Sequence, residues 1–197
     1  VGKHHTCFVY DNGEVACSGR NQQGQLGTGN TAQMTSFTIT QPLGKSAMKV
    51  VAAEYFSCAL LTNGSVRCWG DNGYGQLGIN STIDSTFPAI PVDFGNGAFV
   101  VDIMSGLKHV CARLSNDSIS CWGNNLNRQL GIGNLVNQPL PVVLPGTQTR
   151  SFTHVYDTVD ACFYAFKKNK CIFYELKRSR SNKVICKYLF SNESFFF

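Results

Sequence analysis

The chain has 197 residues and a formal net charge of +5, with 43% hydrophobic and 15% charged residues. That composition describes a soluble globular protein with enough apolar surface to bury a sheet core. No segment approaches the roughly 18 uninterrupted apolar residues of a membrane span, so no transmembrane helix is expected.

The first predicted element along the chain is a β-hairpin that joins Cys7 to Cys17. Two runs of mainly apolar and β-branched residues flank an Asp-Asn-Gly turn at 11–13, which is a three-residue hairpin loop whose last position needs a positive φ. Glycine adopts that conformation freely. Counting outward from the loop pairs Tyr10 with Glu14 and places Cys7 directly opposite Cys17.

The same hairpin is predicted twice more, with Cys58 opposite Cys68 and Cys111 opposite Cys121. Successive copies begin 51 and 53 residues apart. In the third copy Asp117 stands at the positive-φ position, which Asp tolerates. Self-similarity at this period indicates one supersecondary unit repeated around a ring or along an array.

Cysteine usage predicts disulfides. If the residues that close each loop are hydrogen-bonded, alternation makes the facing cysteines a non-hydrogen-bonded pair with Cα atoms about 4.5 Å apart, which suits a cross-strand disulfide. Eight of the nine cysteines pair in this way if Cys162 is counted with Cys171, and Cys186 is left over. This usage favours an oxidising compartment. A zinc site is the competing interpretation, but one hairpin supplies only half of a tetrahedral ligand set.

A short signature surrounds each hairpin. A histidine precedes the first cysteine in two copies, Trp-Gly follows the second cysteine in two copies, and Gln-Leu-Gly closes a compact turn in all three. The signature residues are His5, His109, Trp69, Gly70, Trp122, Gly123, Gly27, Gly78 and Gly131. The pattern of His-Thr-Cys, hairpin turn, Cys-Trp-Gly and Asp-Asn-Gly-Tyr-Gly-Gln-Leu-Gly resembles the regulator of chromosome condensation repeat family over roughly residues 1–145.

Individual copies depart from this family pattern. Phe56 replaces the histidine in the second copy, Ser18 replaces the tryptophan in the first, and Arg128 replaces the glycine before Gln-Leu-Gly in the third. We interpret the tryptophans and glycines as residues that hold blades together. We interpret the histidines as loop or core hydrogen-bonders, because no carboxylate or nucleophile recurs at a matching position.

The resemblance implies an all-β fold, since members of this family are β-propellers with seven blades of about fifty residues each. Three clear blades are predicted, at about 1–48, 49–99 and 100–149. A chain of 197 residues holds only about four blades at this period. We therefore expect a partial propeller, which would be a fragment, a truncated gene model or a partial array that needs another chain.

Residues 150–197 are predicted to be a degenerate fourth repeat or an unstructured basic tail. Cys162 lies 51 residues after Cys111, but neither Trp-Gly nor Gln-Leu-Gly follows Cys171. The basic run Leu176–Lys183 could serve a nucleic acid or an acidic partner, although a solvated loop is the commoner explanation and nucleic-acid binding is not favoured. Translated non-coding sequence or a shifted reading frame would also explain the loss of motif.

Sequons for N-glycosylation fit a secreted protein, although chance would supply a similar number. They begin at Asn63, Asn80, Asn116 and Asn192, and glycosylation is predicted at the first three. Two of them, at Asn63 and Asn116, lie on predicted hairpin turns.

The predicted function is noncatalytic protein binding, because a propeller presents loops around a rigid ring and such a surface needs no chemistry of its own. The sequence has no His-Glu metal motif and no Gly-x-Ser-x-Gly turn, so neither an enzyme, a cofactor nor a metal site is expected. The alternative implied by the resemblance is guanine-nucleotide exchange on a small GTPase. The first function would place the protein outside cells or in the secretory lumen, and the second in the cytoplasm or nucleus.

Overall fold

The computed structural model describes residues 1–88, 90–95 and 98–144, together with the backbone of 172–178 and 184–189. The chain divides into two compact units, Val1–Arg150 and Ser151–Phe197. The described residues form strands, turns and bends and contain no helix. The fold is therefore all-β, as the repeats predict.

The first unit contains three antiparallel sheets, which we call blades 1, 2 and 3. Blade 1 comprises β1 (His5–Val9), β2 (Val15–Gly19) and β3 (Met34–Ile39). Blade 2 comprises β4 (Ala47–Ala52), β5 (Phe56–Leu61) and β6 (Val66–Gly70), and is extended by the isolated bridges Arg67–Pro91 and Gly70–Ser85. Blade 3 comprises β7 (Val100–Ser105), β8 (His109–Leu114), β9 (Ile119–Gly123) and β10 (Gln138–Leu144).

The hairpin register is the predicted one in all three blades. Cys7 lies opposite Cys17, Cys58 opposite Cys68 and Cys111 opposite Cys121. The third loop residue has a φ of +82° at Gly13, +76° at Gly64 and +63° at Asp117. This conformation closes the loop with the right-handed twist that the flanking strands require.

The core lies between the blades, because successive residues of a strand point to opposite faces of the sheet. On β5, Cys58 and Leu60 lie in the buried cluster shared with blade 3. Ala59 and Leu61 lie in the cluster shared with blade 1. The middle blade is consequently buried on both faces, and every residue of β5 is buried.

The described part of the second unit is a two-stranded antiparallel sheet of β11 (Ile172–Arg178) and β12 (Val184–Leu189). Cys186 lies on β12. The hairpin predicted between Cys162 and Cys171 lies outside the described residues, so the degenerate fourth repeat stays a prediction. Across the part of the chain that the structure describes, no helix is long and apolar enough to cross a membrane.

Candidate protein-binding surface

Adjacent blades are joined through the signature tryptophans. The Trp69 indole Nε1–H of blade 2 donates to the main-chain carbonyl of Gln25 in blade 1 at 2.9 Å. The Trp122 indole Nε1–H of blade 3 donates to the carbonyl of Gln76 in blade 2, also at 2.9 Å. Both tryptophans and both glutamines are fully buried. Each Trp-Gly therefore binds the Gln-Leu-Gly turn of the preceding copy.

The last glycine of each turn leaves room for that indole. A Cβ on Gly27 would lie 2.7 Å from Trp69 Nε1, and one on Gly78 would lie 2.8 Å from Trp122 Nε1. Both glycines have a positive φ, and Gly131 shares that conformation in blade 3, where it is half-buried.

His5 is a buried hydrogen-bonder and not a free base. Its Nε2 lies 2.7 Å from the Ser57 Oγ, whose hydroxyl donates to the Gln25 carbonyl at 2.9 Å. Because the Ser57 hydroxyl already donates its hydrogen to that carbonyl, it can only accept from His5. Nε2 is therefore the protonated nitrogen of a neutral imidazole. Burial lowers the pKa of His5 to about 4.

In the three copies, the residue three places before the histidine position is glycine where the histidine is present and alanine where it is replaced. Gly2 precedes His5, and Gly106 precedes His109, in equivalent turns. A Cβ on Gly2 would lie 2.4 Å from the Ala53 carbonyl oxygen and 2.8 Å from the His5 ring, and one on Gly106 would lie 2.2 Å from the His109 ring. Where blade 2 has Phe56 in place of histidine, Ala53 stands in place of glycine. The replacement of histidine by Phe56 is therefore accompanied by the replacement of the nearby glycine by Ala53.

Sequence reasoning missed the asparagine that organises each turn. Asn72 is fully buried, its Nδ2 donates to the carbonyls of Ser81 and Ile83, and its Oδ1 accepts from the Leu77 N–H at 2.9 Å. Asn21 makes the corresponding bonds in the first copy. In the third copy the Asn125 Oδ1 accepts from the Leu130 N–H, and its Nδ2 donates to the carbonyl and the side-chain oxygen of Asn134. The signal was available, since each asparagine follows the second cysteine of its copy at the same offset.

The three hairpin cysteine pairs are disulfides in the structure. Their sulfur–sulfur distances are 2.09, 2.08 and 2.13 Å, in chain order. The first pair lies in the buried cluster that contains Trp69, and the second in the cluster that contains Trp122. In the third pair Cys111 is half-buried. The first two bonds are therefore enclosed between blades.

One end of the blades gathers cationic and aromatic side chains. The loops before β1, β5 and β8 meet there, because the Lys3 N–H donates to the Ala53 carbonyl at 3.1 Å and the Glu54 N–H donates to the Leu107 carbonyl at 3.2 Å. We define the basic–aromatic surface by its exposed and half-buried members. They are Lys3, His4, Arg20, Tyr55, Tyr74 and Lys108.

Signature glycines hold these loops against the strand ends. A Cβ on Gly70 would lie 2.5 Å from the Tyr55 carbonyl oxygen, and one on Gly123 would lie 2.7 Å from that of Lys108. Their φ values are +109° and +103°, a region that favours glycine. The Asp71 N–H donates to the same Tyr55 carbonyl at 2.9 Å. The loops that bear Tyr55 and Lys108 are therefore packed closely against the strand ends.

The two tyrosines contact cations from the neighbouring blades. Tyr55 stacks with His4, the ring centroids being 5.5 Å apart, and has the Arg20 guanidinium 5.3 Å from its ring centroid. Tyr74 has the Lys108 ammonium 4.9 Å from its centroid. Such contacts hold cations over aromatic faces and are worth about 0.5–1 kcal/mol at exposed sites.

Glu54 lies beneath this surface and is buried. Its carboxylate is 2.6 Å from the Lys3 Nζ and 3.7 Å from the Lys108 Nζ. The hydrogen bond from Lys3 lowers the pKa of Glu54, and the same contact raises the pKa of Lys3. One buried carboxylate thereby positions cations contributed by both flanking blades.

The arrangement has the chemistry of a binding surface. Within the described ranges, no group of three or more His, Cys, Asp or Glu side chains could hold a metal ion. The cations instead project over aromatic rings on these loops. Arg and Tyr in such positions are typical anchors of protein interfaces.

Models of one protein family match most of the chain. Models of the "Regulator of chromosome condensation (RCC1) repeat" match residues 1–25 and 49–76, and residues 63–113 and 118–156. The chain belongs to the RCC1 repeat family. A crystal structure of the RCC1-repeat neighbour Prp20p from Saccharomyces cerevisiae has the same fold, with a TM-score of 0.66 at 16% identity over 85% of this chain and 46% of that one.

Two curated relatives are similar in sequence. The ultraviolet-B receptor UVR8 of Arabidopsis thaliana is 28% identical over 73% of this chain and 32% of its own length. The secretion-regulating guanine nucleotide exchange factor of Mus musculus is 30% identical over 83% of this chain and 35% of its own length. The chain spans about a third of the length of these relatives.

Proposed function

We propose that the protein is a noncatalytic binding module that holds a protein partner on its basic–aromatic surface. The observation that supports this is the convergence of cations from blades 1 and 3 around two tyrosines of blade 2. Lys3 and Arg20 come from blade 1, Tyr55 and Tyr74 from blade 2, and Lys108 from blade 3. No single blade could assemble this surface, so the function requires the blades to pack together.

The chemistry of the surface favours an acidic segment of the partner. Its fixed cations outnumber the Glu54 carboxylate that pairs with them. The guanidinium of Arg20 binds the side chain of Gln22, a neutral group that a carboxylate can displace with a stronger, charge-assisted bond. Tyrosine rings supply apolar contact area at a low cost in conformational entropy.

The test is affinity purification from the protein's native surroundings followed by quantitative mass spectrometry. The baits are the wild-type chain, Arg20→Glu, Lys108→Glu and the control Lys45→Glu. Lys45 is exposed and lies in the loop that contacts the hairpin tips, at the other end of the blades. We expect a set of proteins lost with the first two variants and retained with the control.

Binding of a purified partner from that set should then weaken about tenfold in each surface variant, which is about 1.4 kcal/mol. Equal binding by all four baits would show that this surface is not used. The charge reversals are matched in size, so a general electrostatic effect would appear in the control as well.

A second candidate function is guanine-nucleotide exchange, because the chain is 30% identical to a secretion-regulating guanine nucleotide exchange factor. The structural neighbour Prp20p has binding properties toward Gsp1p and histones. Faster nucleotide release from a small GTPase in the presence of this chain, weakened by Arg20→Glu, would favour this candidate over simple binding.

We place the proposed binding function outside cells or in the secretory lumen. The three disulfides support this location, because such bonds persist in oxidising compartments and are rare in the cytosol. Alkylation of native protein before denaturation tests it. Free thiols at the three pairs would indicate a location in the cytoplasm or nucleus and would favour the exchange function.

A further inference from the structure

The hairpin tips of blades 2 and 3 share a local geometry that the tip of blade 1 lacks. The Asn63 Oδ1 accepts hydrogen bonds from both the N–H and the hydroxyl of Ser65, at 3.2 and 2.8 Å. The Asn116 Oδ1 accepts the same pair of bonds from Ser118, at 3.1 and 2.7 Å. Both asparagines are exposed.

Each of these tips is an Asn-x-Ser sequon folded so that its two functional groups touch. In the contacts of the described residues, the Nδ2 of Asn63 and the Nδ2 of Asn116 have no acceptor. The equivalent Asn12 differs, because Glu14 stands in the place of serine and accepts from the Asn12 Nδ2 at 2.8 Å. Two copies therefore present a free amide nitrogen beside a hydroxyl, and one does not.

The sequon at Asn80 lacks this arrangement. Its backbone has a φ of +55°, and its N–H donates to the Pro139 carbonyl in the next blade at 2.9 Å. Among the described contacts, the Thr82 hydroxyl makes no bond to the Asn80 side chain. The structure thus separates two kinds of sequon that are equivalent in sequence.

We propose that Asn63 and Asn116 are N-glycosylated and that Asn80 is not. In the reaction, the side-chain nitrogen attacks the anomeric carbon of an oligosaccharide carried as a lipid-linked diphosphate. A carbon–nitrogen bond forms, the carbon–oxygen bond to the diphosphate breaks, and the lipid diphosphate leaves with that electron pair. The amide nitrogen loses one proton to a base of the transferase.

Glycans at these positions are compatible with the fold and with partner binding. The strand β5 runs from the loop that bears Tyr55 to the tip that bears Asn63, so the two residues lie at opposite ends of blade 2. Glycans would therefore cover the tip end and leave the basic–aromatic surface open. The proposal rests on the secretory location proposed above, and it does not depend on the identity of any partner.

The test is peptide mapping of protein isolated from its native source after treatment with an amidase that removes N-glycans. The amidase leaves aspartate at each linked position. We expect conversion at 63 and 116 and unchanged asparagine at 12 and 80. Unconverted asparagine at 63 or 116, or conversion at 80, would overturn the proposal.

Variants separate the role of the amide from that of the turn. Asn63→Asp keeps an oxygen that accepts from Ser65 but removes the nucleophilic nitrogen, so it should be secreted without that glycan. Ser65→Thr should keep the glycan, whereas Ser65→Ala should lose it. Retention of the glycan in Ser65→Ala would show that the hydroxyl beside the amide is not required and would also contradict the proposal.

Discussion

The indole N–H of Trp69 donates to the carbonyl of Gln25, a residue 44 positions earlier and in another blade. Trp122 repeats this bond with Gln76 across 46 positions. The tryptophan of one copy and the turn of the copy before it therefore act as a pair. Stability of the array depends on these contacts between repeats, which are separate from the disulfides within them.

Trp122→Phe should destabilise the protein more than Trp69→Phe. Each change removes an indole N–H and leaves a buried carbonyl, but the Gln25 carbonyl still accepts from Ser57 at 2.9 Å. A buried carbonyl left without a donor costs about 1–3 kcal/mol. Chemical denaturation of the two variants measures the difference. Equal losses would mean that the second donor to Gln25 has no energetic role.

Gly27→Ala should cost more stability than Gly29→Ala. Both glycines have a positive φ, +71° and +83°, so both variants bear a similar backbone strain of about 1–2 kcal/mol. Only at Gly27 would the new Cβ also lie 2.7 Å from Trp69 Nε1, whereas at Gly29 the nearest atom is 3.4 Å away. Overpacking adds about 1–3 kcal/mol. Thermal unfolding of the pair isolates the contact between blades.

Acid should destabilise the fold through His5. Its pKa falls from an ordinary 6.5 to about 4 in the folded state, so the unfolded chain binds more protons between these values. Stability from this group is fully present above pH 6.5 and falls as the pH drops toward 4, by up to about 3 kcal/mol. The measurement is denaturant unfolding as a function of pH.

The matched control for that pH dependence is His5→Phe, which places at position 5 the residue type that blade 2 has at Phe56. This variant should lose less stability than the wild type between pH 6.5 and 4. The paired carboxylate of Glu54, whose pKa is lowered, adds its own loss of stability at acid pH in both proteins. Parallel pH profiles would rule out a role for His5.

The bond between Cys111 and Cys121 should be reduced first under native conditions. Cys111 is half-buried, while Cys58 and Cys68 are 0% and 2% exposed. Thiol–disulfide exchange requires access to a sulfur. Limiting reductant followed by alkylation and peptide mapping gives the order. In denaturant the three bonds should react at similar rates, because each has the same sequence separation of 10.

Local features of the fold could be predicted from the sequence, since they follow from residues close together in the chain. The hairpin register, with Cys7 opposite Cys17, could be predicted from the position of the turn and from the two-residue alternation of side chains along a strand. The positive φ at Asp117 followed from its alignment with Gly13 and Gly64.

The basic–aromatic surface could not be predicted in the same way. Lys108 and Tyr74 belong to different copies, and no spacing rule reports which loops of successive blades meet. The paired change of Ala53 with Phe56 was visible in the sequence, but its meaning required the distance from a glycine to a ring. The buried Asn72 was missed because it was treated as part of a polar turn.

The three copies are not interchangeable, although they share one signature. In blades 1 and 2 the backbone of the next blade crowds the turn glycines, and a Cβ on Gly24 would lie 2.6 Å from the Thr86 Cα, while one on Gly75 would lie 2.6 Å from the Pro139 Cα. Arg128 occupies this position in blade 3 and is exposed. A gene rearrangement that moved the third copy into the second place would bring the arginine side chain into a steric clash with the backbone of the next blade. The position where glycine is absent therefore restricts the order in which the repeats can pack.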